Sequence, residues 1–149
     1  MKIKVFGWLF LMDRVNTRDL LDRKHCALLS ASISCSLCQE NARETREHLF
    51  FDCAFSKGCW NRLGWCWNTS LEFNQMLHSQ RSSFSHHGFM ELFLLAAWNI
   101  WKERNGLIFQ GIQPSITSCL ANLKSDLSLH LIRFRESDHP LVQSWIGHL

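Results

Sequence analysis

The sequence predicts a mainly α-helical protein that ends in a pair of packed helices. Apolar residues recur at steps of three and four over residues 89–101 and again over residues 116–131, which is the period of an amphipathic helix. The alternation typical of strands is missing along the chain. Apolar residues form 46% of the 149 residues, with eleven Phe and seven Trp, so a hydrophobic core can form and a largely disordered chain is excluded.

The first two predicted helices lie near the N-terminus. Residues 3–12 form a short apolar helix. Asn16 is the predicted N-cap of the second helix, which continues to about Lys24, and Asp19 completes an approximate capping box. Because Asp19 and Arg23 are four residues apart on this helix, we expect their side chains to form an ion pair.

A long loop separates these helices from two further short ones. Residues 26–43 are rich in Ser and Cys and predict a loop. Glu44 and Thr45 then begin a short helix that carries His48, and residues 54–63 form the next helix.

The second half of the chain holds the two longest predicted helices. Residues 79–87 contain four Ser and show no periodicity, so they form the best internal boundary. The helix over residues 89–105 is predicted to end at the Asn105–Gly106 pair, with an extended piece over residues 107–109. Pro114 is expected at the first position of the following helix.

Three of the seven cysteines and one histidine have the spacing of a metal site. The odd cysteine count and the Cys-x-x-Cys pair favour a reducing compartment with a metal over a disulfide framework. Zinc in structural sites takes four tetrahedral nitrogen or sulfur ligands. Cys35 and Cys38 are separated by two residues, and His48 and Cys53 by four; both spacings match those of zinc knuckles. The sequence thus predicts one zinc ion, and because four protein ligands leave no open position, a structural rather than catalytic one.

Alternatives to this ligand set stay open at the level of sequence. Cysteines are often simply buried, so a chance Cys-x-x-Cys pair is plausible in a chain with seven of them. Either Cys59 or Cys66 can take the place of Cys53 as the fourth ligand. Cys26 and Cys119 are interpreted as core cysteines.

The charge distribution gives a weak indication of a polyanionic partner. Residues 1–70 carry ten Lys/Arg against seven Asp/Glu, whereas residues 71–149 carry six of each. Unpaired bases can stack on exposed aromatic side chains. The alternatives are a solvated helix face for the cations and core packing for the Trp. The candidate nucleic-acid contacts are Arg43, Arg46, Lys57, Arg62 and Trp60.

Neither an active site nor a membrane segment is predicted. The chain has no Asp–Asp pair for a two-metal site and no glycine-rich phosphate loop, so we expect no enzymatic activity. The longest nearly apolar run, residues 92–101, is shorter than the roughly 20 residues that span a bilayer. Lys2 and Lys4 precede an apolar stretch that imitates a signal peptide, but no cleavage pattern follows. We expect an intracellular protein of the nucleus or cytoplasm, with an organelle not excluded and no membrane partner.

Several short segments together match the pattern of one known domain. The most specific is Glu-Thr-Arg-Glu-His-Leu-Phe at residues 44–50, which lies inside the cysteine frame. The other matching segments are KIKVFGW at residues 2–8, RVNTRDLL at residues 14–21, Trp60, and WNIWKERN at residues 98–105. These segments resemble the zinc-binding domain of plant LINE-type (non-LTR) retrotransposon reverse transcriptases and the stretch that usually follows it. The resemblance covers about residues 2–111.

The resemblance implies a ligand set, a cofactor and a role. Cys35, Cys38, His48 and Cys53 take the ligand positions of the family and hold one Zn²⁺. The family's domain normally lies between a reverse transcriptase and, often, a ribonuclease H, with a supporting or nucleic-acid-contacting role. Because this chain carries neither neighbour, we expect a retrotransposon fragment or a free-standing gene derived from one.

These observations predict the organisation and function of the chain. A helical zinc-binding domain covers residues 1–78, a polar linker residues 79–88, and a C-terminal helical segment residues 89–135, packed on the first domain or flexibly joined to it. The tail, residues 136–149, is unassigned. The predicted function is a non-catalytic zinc-binding module that contacts RNA or DNA. The alternative is a repurposed protein–protein interaction module, with a regulatory or toxic role, that uses the aromatic helix 89–105.

Overall fold

The computed structural model describes residues 2–26, 32–84 and 87–149. Within these ranges the chain is predominantly helical and contains no β-strand, so the predicted mainly α class is confirmed. Residues 27–31 of the predicted loop and residues 85–86 of the predicted boundary lie outside the described residues. The proposed division into domains stays a prediction.

Along the described ranges the α-helices are α1 (Lys2–Leu11), α2 (Arg18–Arg23), α3 (Ala54–Arg62), α4 (Phe73–Ser82), α5 (Phe89–Gln110), α6 (Ile116–His130) and α7 (His139–His148). A π-helical turn, His48–Asp52, leads directly into α3. Two short 3₁₀ turns, Leu131–Arg133 and Glu136–Asp138, connect α6 to α7.

Helix α5 is the centre of the fold, with α1 and α6 packed against it. Its apolar period leaves buried side chains around most of its circumference, as expected of a helix with neighbours on more than one side. Helix α6 buries the predicted leucine stripe, including Leu120, Leu123 and Leu127, and also contacts α3 and α7. The predicted pair of C-terminal helices is therefore present, with α7 added to it.

Aromatic rings from α1, the π-helical turn, α3 and α5 form the middle of the core. Phe10 lies 4.7 Å from Phe50, centroid to centroid, with the two rings perpendicular. Phe93 lies 6.3 Å from Phe51 and 5.8 Å from Trp60 in stacked arrangements. Aromatic pairs at such distances contribute about 0.5–1.5 kcal/mol each beyond their buried area. The π-helical turn is thus anchored in a hydrophobic cluster that extends from α1 to α7.

Helix α5 is longer than the sequence predicts. The predicted end at Gly106 and the extended piece after it are wrong, because the helix continues to Gln110. It ends at Gly111, whose left-handed backbone (φ 68°) suits glycine. The Gly111 N–H donates to the Leu107 carbonyl and the Ile112 N–H to the Gly106 carbonyl, each at 3.1 Å. A helix interior tolerates Gly106 because a glycine there costs only about 1 kcal/mol.

Two helices begin at a different residue from the predicted one. Thr17, not Asn16, caps α2, and α6 begins at Ile116 after its N-cap Ser115, instead of at Pro114. In each case the hydroxyl accepts a hydrogen bond from the backbone N–H three residues later, at 3.2 Å and 3.4 Å. Both caps have extended backbone, which is the geometry that brings a side-chain oxygen onto the first turn.

Helices α4 and α7 were not predicted. Helix α4 runs into the Ser-rich boundary and is amphipathic, with Phe73 and Met76 buried. Helix α7 lies in the unassigned tail, has a Pro in its first turn and buries Val142. Of all the helices in the described ranges, none is both long and apolar enough to cross a membrane.

Candidate metal centre

The four side chains predicted as zinc ligands meet at one point. The ligand atoms of Cys35, Cys38, His48 and Cys53, here called the Cys₃His cluster, all lie within 4.8 Å of one another. The Sγ atoms of Cys35 and Cys53 are 3.9 Å apart. Cys38 Sγ lies 3.3 Å from His48 Nε2. Cys35 and Cys53 are buried, whereas Cys38 and His48 are half-buried.

These separations fit a tetrahedral zinc ion. Bonds of about 2.3 Å to sulfur and about 2.0–2.1 Å to nitrogen place two sulfurs about 3.8 Å apart, and a sulfur and a nitrogen about 3.6 Å apart. The measured 3.9 Å and 3.3 Å differ from these values by a few tenths of an ångström. Three thiolates and one imidazole are also an established donor set for structural zinc. Both the geometry and the chemistry of the cluster therefore suit one Zn²⁺.

The first two cysteines lie in a short turn, residues 34–43, here called the cysteine turn. Its ends are joined by an antiparallel bridge between Ser34 and Arg43. The Cys35 N–H donates to the Ala42 carbonyl at 2.7 Å. Asn41 adopts a left-handed backbone (φ 51°), which Asn tolerates better than most residues. The closed turn presents two sulfurs from residues only three positions apart.

The other two ligands are brought together by the π-helical turn. Thr45 accepts a hydrogen bond from the His48 N–H through its hydroxyl, at 3.0 Å, and so begins the turn. The Cys53 N–H donates to the His48 carbonyl five residues earlier, at 2.7 Å. In a regular α-helix, residues five apart point about 140° away from each other around the axis. The wider π turn reduces that angle, and functional sites often contain such turns.

Hydrogen bonds to sulfur and burial shift the pKa values of the three cysteines of the cluster. The Cys35 thiol donates to the Cys53 sulfur, and this bond, together with backbone N–H groups of Ser56 and Phe55, lowers the pKa of Cys53 to about 6 although burial opposes it. The same thiol–thiolate bond, with burial, raises the pKa of Cys35. Burial also raises the pKa of Cys38. Cys53 lies at the start of α3, and a helix N-terminus also lowers the pKa of a cysteine.

A buried ion pair joins the cysteine turn to α5. Glu44, with 0% of its surface exposed, accepts from Arg104 Nη2 at 2.6 Å and from Arg104 Nε at 3.2 Å. Its carboxylate also accepts from the Arg18 backbone N–H at 2.9 Å. The Ser36 backbone N–H and hydroxyl donate to it at 3.3 Å and 3.2 Å. Because Ser36 lies between the two cysteines of the turn, Glu44 fixes the turn against α2 and α5.

The sequence does not predict that Glu44 and Arg104 are partners. Both belong to segments that carry the resemblance, at residues 44–50 and 98–105. The two side chains are 60 residues apart in the chain. The sequence shows a charged residue in each of these segments, but it does not show that the two residues pair with each other.

Two of the five predicted nucleic-acid contacts lie inside the protein. The Arg46 guanidinium donates to the Phe10 carbonyl at 3.1 Å, at the end of α1, and lies 3.8 Å from the Phe73 ring centroid. Trp60 is 1% exposed, and its Nε1–H donates to the Phe50 carbonyl at 2.6 Å. Neither side chain can reach a nucleic acid in this conformation, and Trp60 follows the core alternative.

The other three predicted contacts are on the surface. Arg43 forms ion pairs with Asp19 and with a second aspartate of α2. Lys57 Nζ lies 3.6 Å from the Asp52 carboxylate. Arg62, the last residue of α3, is exposed, and within the described ranges it forms no ion pair. These three residues are open to solvent, with Arg43 the most neutralised by its partners.

The remaining cysteines lie outside the Cys₃His cluster. Cys59 and Cys119 are both buried, and a hydrogen bond from one thiol to the other, with burial, raises the pKa of Cys119. Cys26 and Cys66 are exposed. The interpretation of Cys119 as a core cysteine is confirmed, and that of Cys26 is wrong because its side chain lies at the surface after the end of α2.

Comparison with known proteins agrees with this geometry. Residues 1–60 match the zf-RVT family model, described as zinc-binding in reverse transcriptase. The match covers 60 of the 149 residues and contains the whole Cys₃His cluster. No curated protein and no solved structure matches the chain. The similarity to a zinc-binding domain of reverse transcriptases is thus confirmed for this segment, and the plant and LINE-type origin stays a prediction.

Proposed function

We propose that the chain is a non-catalytic zinc module in which one Zn²⁺ fixes the cysteine turn and the π-helical turn to the helical core. The observation that carries the proposal is the convergence of four ligand atoms within 4.8 Å. The ion supplies four bonds to protein atoms and leaves no position for water or substrate. Cys35 and Cys38 hold it from the cysteine turn, and His48 and Cys53 hold it from the π-helical turn.

The proposal predicts one equivalent of zinc per chain. Protein purified under reducing conditions should show the mass of one bound zinc in native mass spectrometry. A strong chelator should remove the zinc, because it competes with the thiolate and imidazole ligands for the ion. A folded sample without bound metal would contradict the proposal.

We further propose that the module contacts single-stranded RNA or DNA through exposed cations of α3 and of the cysteine turn. Three thiolates on a dication leave the centre with a formal charge of −1, so attraction for phosphate has to come from neighbouring side chains. Lys57 and Arg62 on α3 are exposed, and Arg43 is exposed at the end of the cysteine turn. The half of the chain that contains them also carries the excess of Lys/Arg over Asp/Glu.

Binding through three phosphate contacts predicts a shallow but measurable salt dependence. Affinity for single strands falls with a slope of about −0.7 per phosphate in a logarithmic plot against salt, hence roughly −2 here. The double charge reversal Lys57→Glu/Arg62→Glu should abolish the gel shift of single-stranded RNA and DNA. The double reversal Arg81→Glu/Arg135→Glu changes two exposed cations outside this surface and serves as the matched control. If the variant and its control lose nucleic-acid binding equally, the proposed contact surface is contradicted.

The alternative function, a protein–protein interaction module with a regulatory or toxic role, requires exposed apolar surface. Of the four aromatic side chains of the predicted helix 89–105, Phe89 and Phe93 are 1% and 0% exposed, and Trp98 and Trp101 are half-buried against the core. Single apolar side chains are exposed at several places in the described ranges, and on α1 two of them, Val5 and Trp8, lie one turn apart and are each 54% exposed. The alternative would therefore use α1. It is favoured if the protein shows no salt-dependent binding to either nucleic acid.

A further inference from the structure

An apolar cavity lies between α1, α5 and the end of α6, and none of the Cys₃His residues lines it. Its volume is about 600 Å³. Small-molecule sites in proteins typically measure about 300–1,000 Å³ and are mostly apolar with a few polar groups that orient the ligand. The apolar part of the lining consists of Ile3, Met90, Leu94, Leu95 and Phe134.

The polar part of the lining is predominantly cationic. It consists of Lys4, Glu91, His130 and Arg133. Two permanent cations and one carboxylate give these groups a net positive charge at neutral pH even when His130 is uncharged. The Nδ1–H of His130 donates to the Asp126 carbonyl at 3.0 Å, which leaves Nε2 as the ring atom available to a ligand.

The two cations have no protein partner in the part of the chain that the structure describes. Neither the Lys4 ammonium nor the Arg133 guanidinium forms an ion pair or a hydrogen bond there, and both side chains are exposed. An anionic group bound beside the apolar wall would supply the partner that these cations lack. Charge-assisted hydrogen bonds of this kind are stronger than those between neutral groups.

We propose that the cavity binds a single-chain amphiphile of the fatty-acid class. The alkyl tail lies against the apolar wall, and the carboxylate is held by Lys4 and Arg133. A neutral head group would leave both cations without a partner, and a cationic head would be repelled by them. This site is separate from the Cys₃His cluster and does not depend on the proposed function.

The first test compares head groups on one tail. Decanoate, decanol and decyltrimethylammonium are titrated into the full chain below their micelle concentrations and followed by calorimetry. Decanoate should bind at one site, at least tenfold more tightly than the other two. Shortening it to octanoate should weaken binding by roughly fourfold for each methylene removed. Equal binding of the three head groups, or no saturable binding of decanoate, would overturn the proposal.

The second test changes the charges around the cavity. Lys4→Glu and Arg133→Glu should each weaken decanoate binding at least tenfold, whereas Glu91→Gln should strengthen it. Lys2→Glu and Arg135→Glu are matched controls, because they reverse exposed charges that neighbour the first two in sequence but do not line the cavity. These exposed substitutions should leave the circular dichroism unchanged. An equal loss of affinity in the controls would mean that only overall charge matters.

The third test fills the cavity. Met90→Trp adds a large side chain at a half-buried position of the wall. It should abolish decanoate binding while the melting transition stays cooperative. If this variant fails to fold, the charge variants still decide the question. Unchanged decanoate affinity in a folded Met90→Trp protein would place the ligand elsewhere and overturn the assignment.

Discussion

Replacing Cys53 by serine is expected to abolish tight zinc binding and to unfold the segment around the metal centre. Cys53 is 0% exposed, and its sulfur accepts hydrogen bonds from the Cys35 thiol and from two backbone N–H groups at the start of α3. A serine hydroxyl does not replace a thiolate as a zinc ligand. Structural zinc contributes about 10–16 kcal/mol in zinc-finger peptides, as much as the whole stability of an ordinary domain.

The effect should be largest in the cysteine turn. Among residues 32–45 the buried apolar side chains are Cys35 and Leu37, so polar contacts such as those of Glu44, together with the ion, hold this segment instead of a hydrophobic core of its own. Native mass spectrometry should show loss of the metal, and hydrogen exchange should become fast over residues 32–48. Helices α5 and α6 should stay protected, because they share an apolar interface of their own. Chelation of zinc from the unmodified protein should give the same pattern.

Other cysteines supply the controls for this experiment. Cys119→Ser changes a buried thiol outside the cluster and should keep the zinc, and Cys66→Ser changes an exposed one. If Cys59→Ser releases the metal and Cys53→Ser does not, the ligand assignment is wrong. An exchange rate that rises evenly along the chelated chain would show instead that the cysteine turn and the helices unfold as one cooperative unit.

The metal centre could be predicted because its geometry depends on short-range spacing. Cys35 and Cys38 are close in the chain, as are His48 and Cys53, so each pair needs only one local turn to converge. The form of the second of these turns is set less locally. The π-helical turn depends on the burial of Phe50 in the core, which no period in the sequence indicates. The sequence therefore indicated which residues converge but not the backbone that brings them together.

The surroundings of single residues were harder to predict than the helices. By side-chain type alone, Arg46 and Trp60 suit a nucleic-acid surface. In the structure, Arg46 instead donates to the carbonyl at the end of α1 and lies over the Phe73 ring, and Trp60 donates to the Phe50 carbonyl. These partners come from other parts of the chain. Residue type alone does not distinguish a cation on the surface from one that caps a buried helix end.

Replacing Arg104 by alanine is expected to destabilise the fold by about 3–5 kcal/mol, because it leaves the buried Glu44 carboxylate without its counter-charge. The guanidinium makes two hydrogen bonds to that carboxylate and also lies 4.7 Å from the Trp101 ring centroid. Thermal unfolding should shift downwards by on the order of 10 °C. Lys102→Ala, on the same helix, removes a half-exposed ion pair with Asp126 and should cost less than about 1 kcal/mol.

The same substitution should weaken zinc binding although Arg104 contacts none of the four ligands. Arg104 orients Glu44, and Glu44 accepts the hydrogen bonds of Ser36 between the two cysteines of the turn. Loss of groups that orient metal ligands typically lowers metal affinity about 10–100-fold. Glu44→Gln should have a similar effect, and the double variant Glu44→Gln/Arg104→Ala should cost less than the sum of the two, since both remove one interaction. A chelator competition that finds unchanged zinc affinity in a destabilised Arg104→Ala protein would show that the ion pair holds α5 but not the cysteine turn.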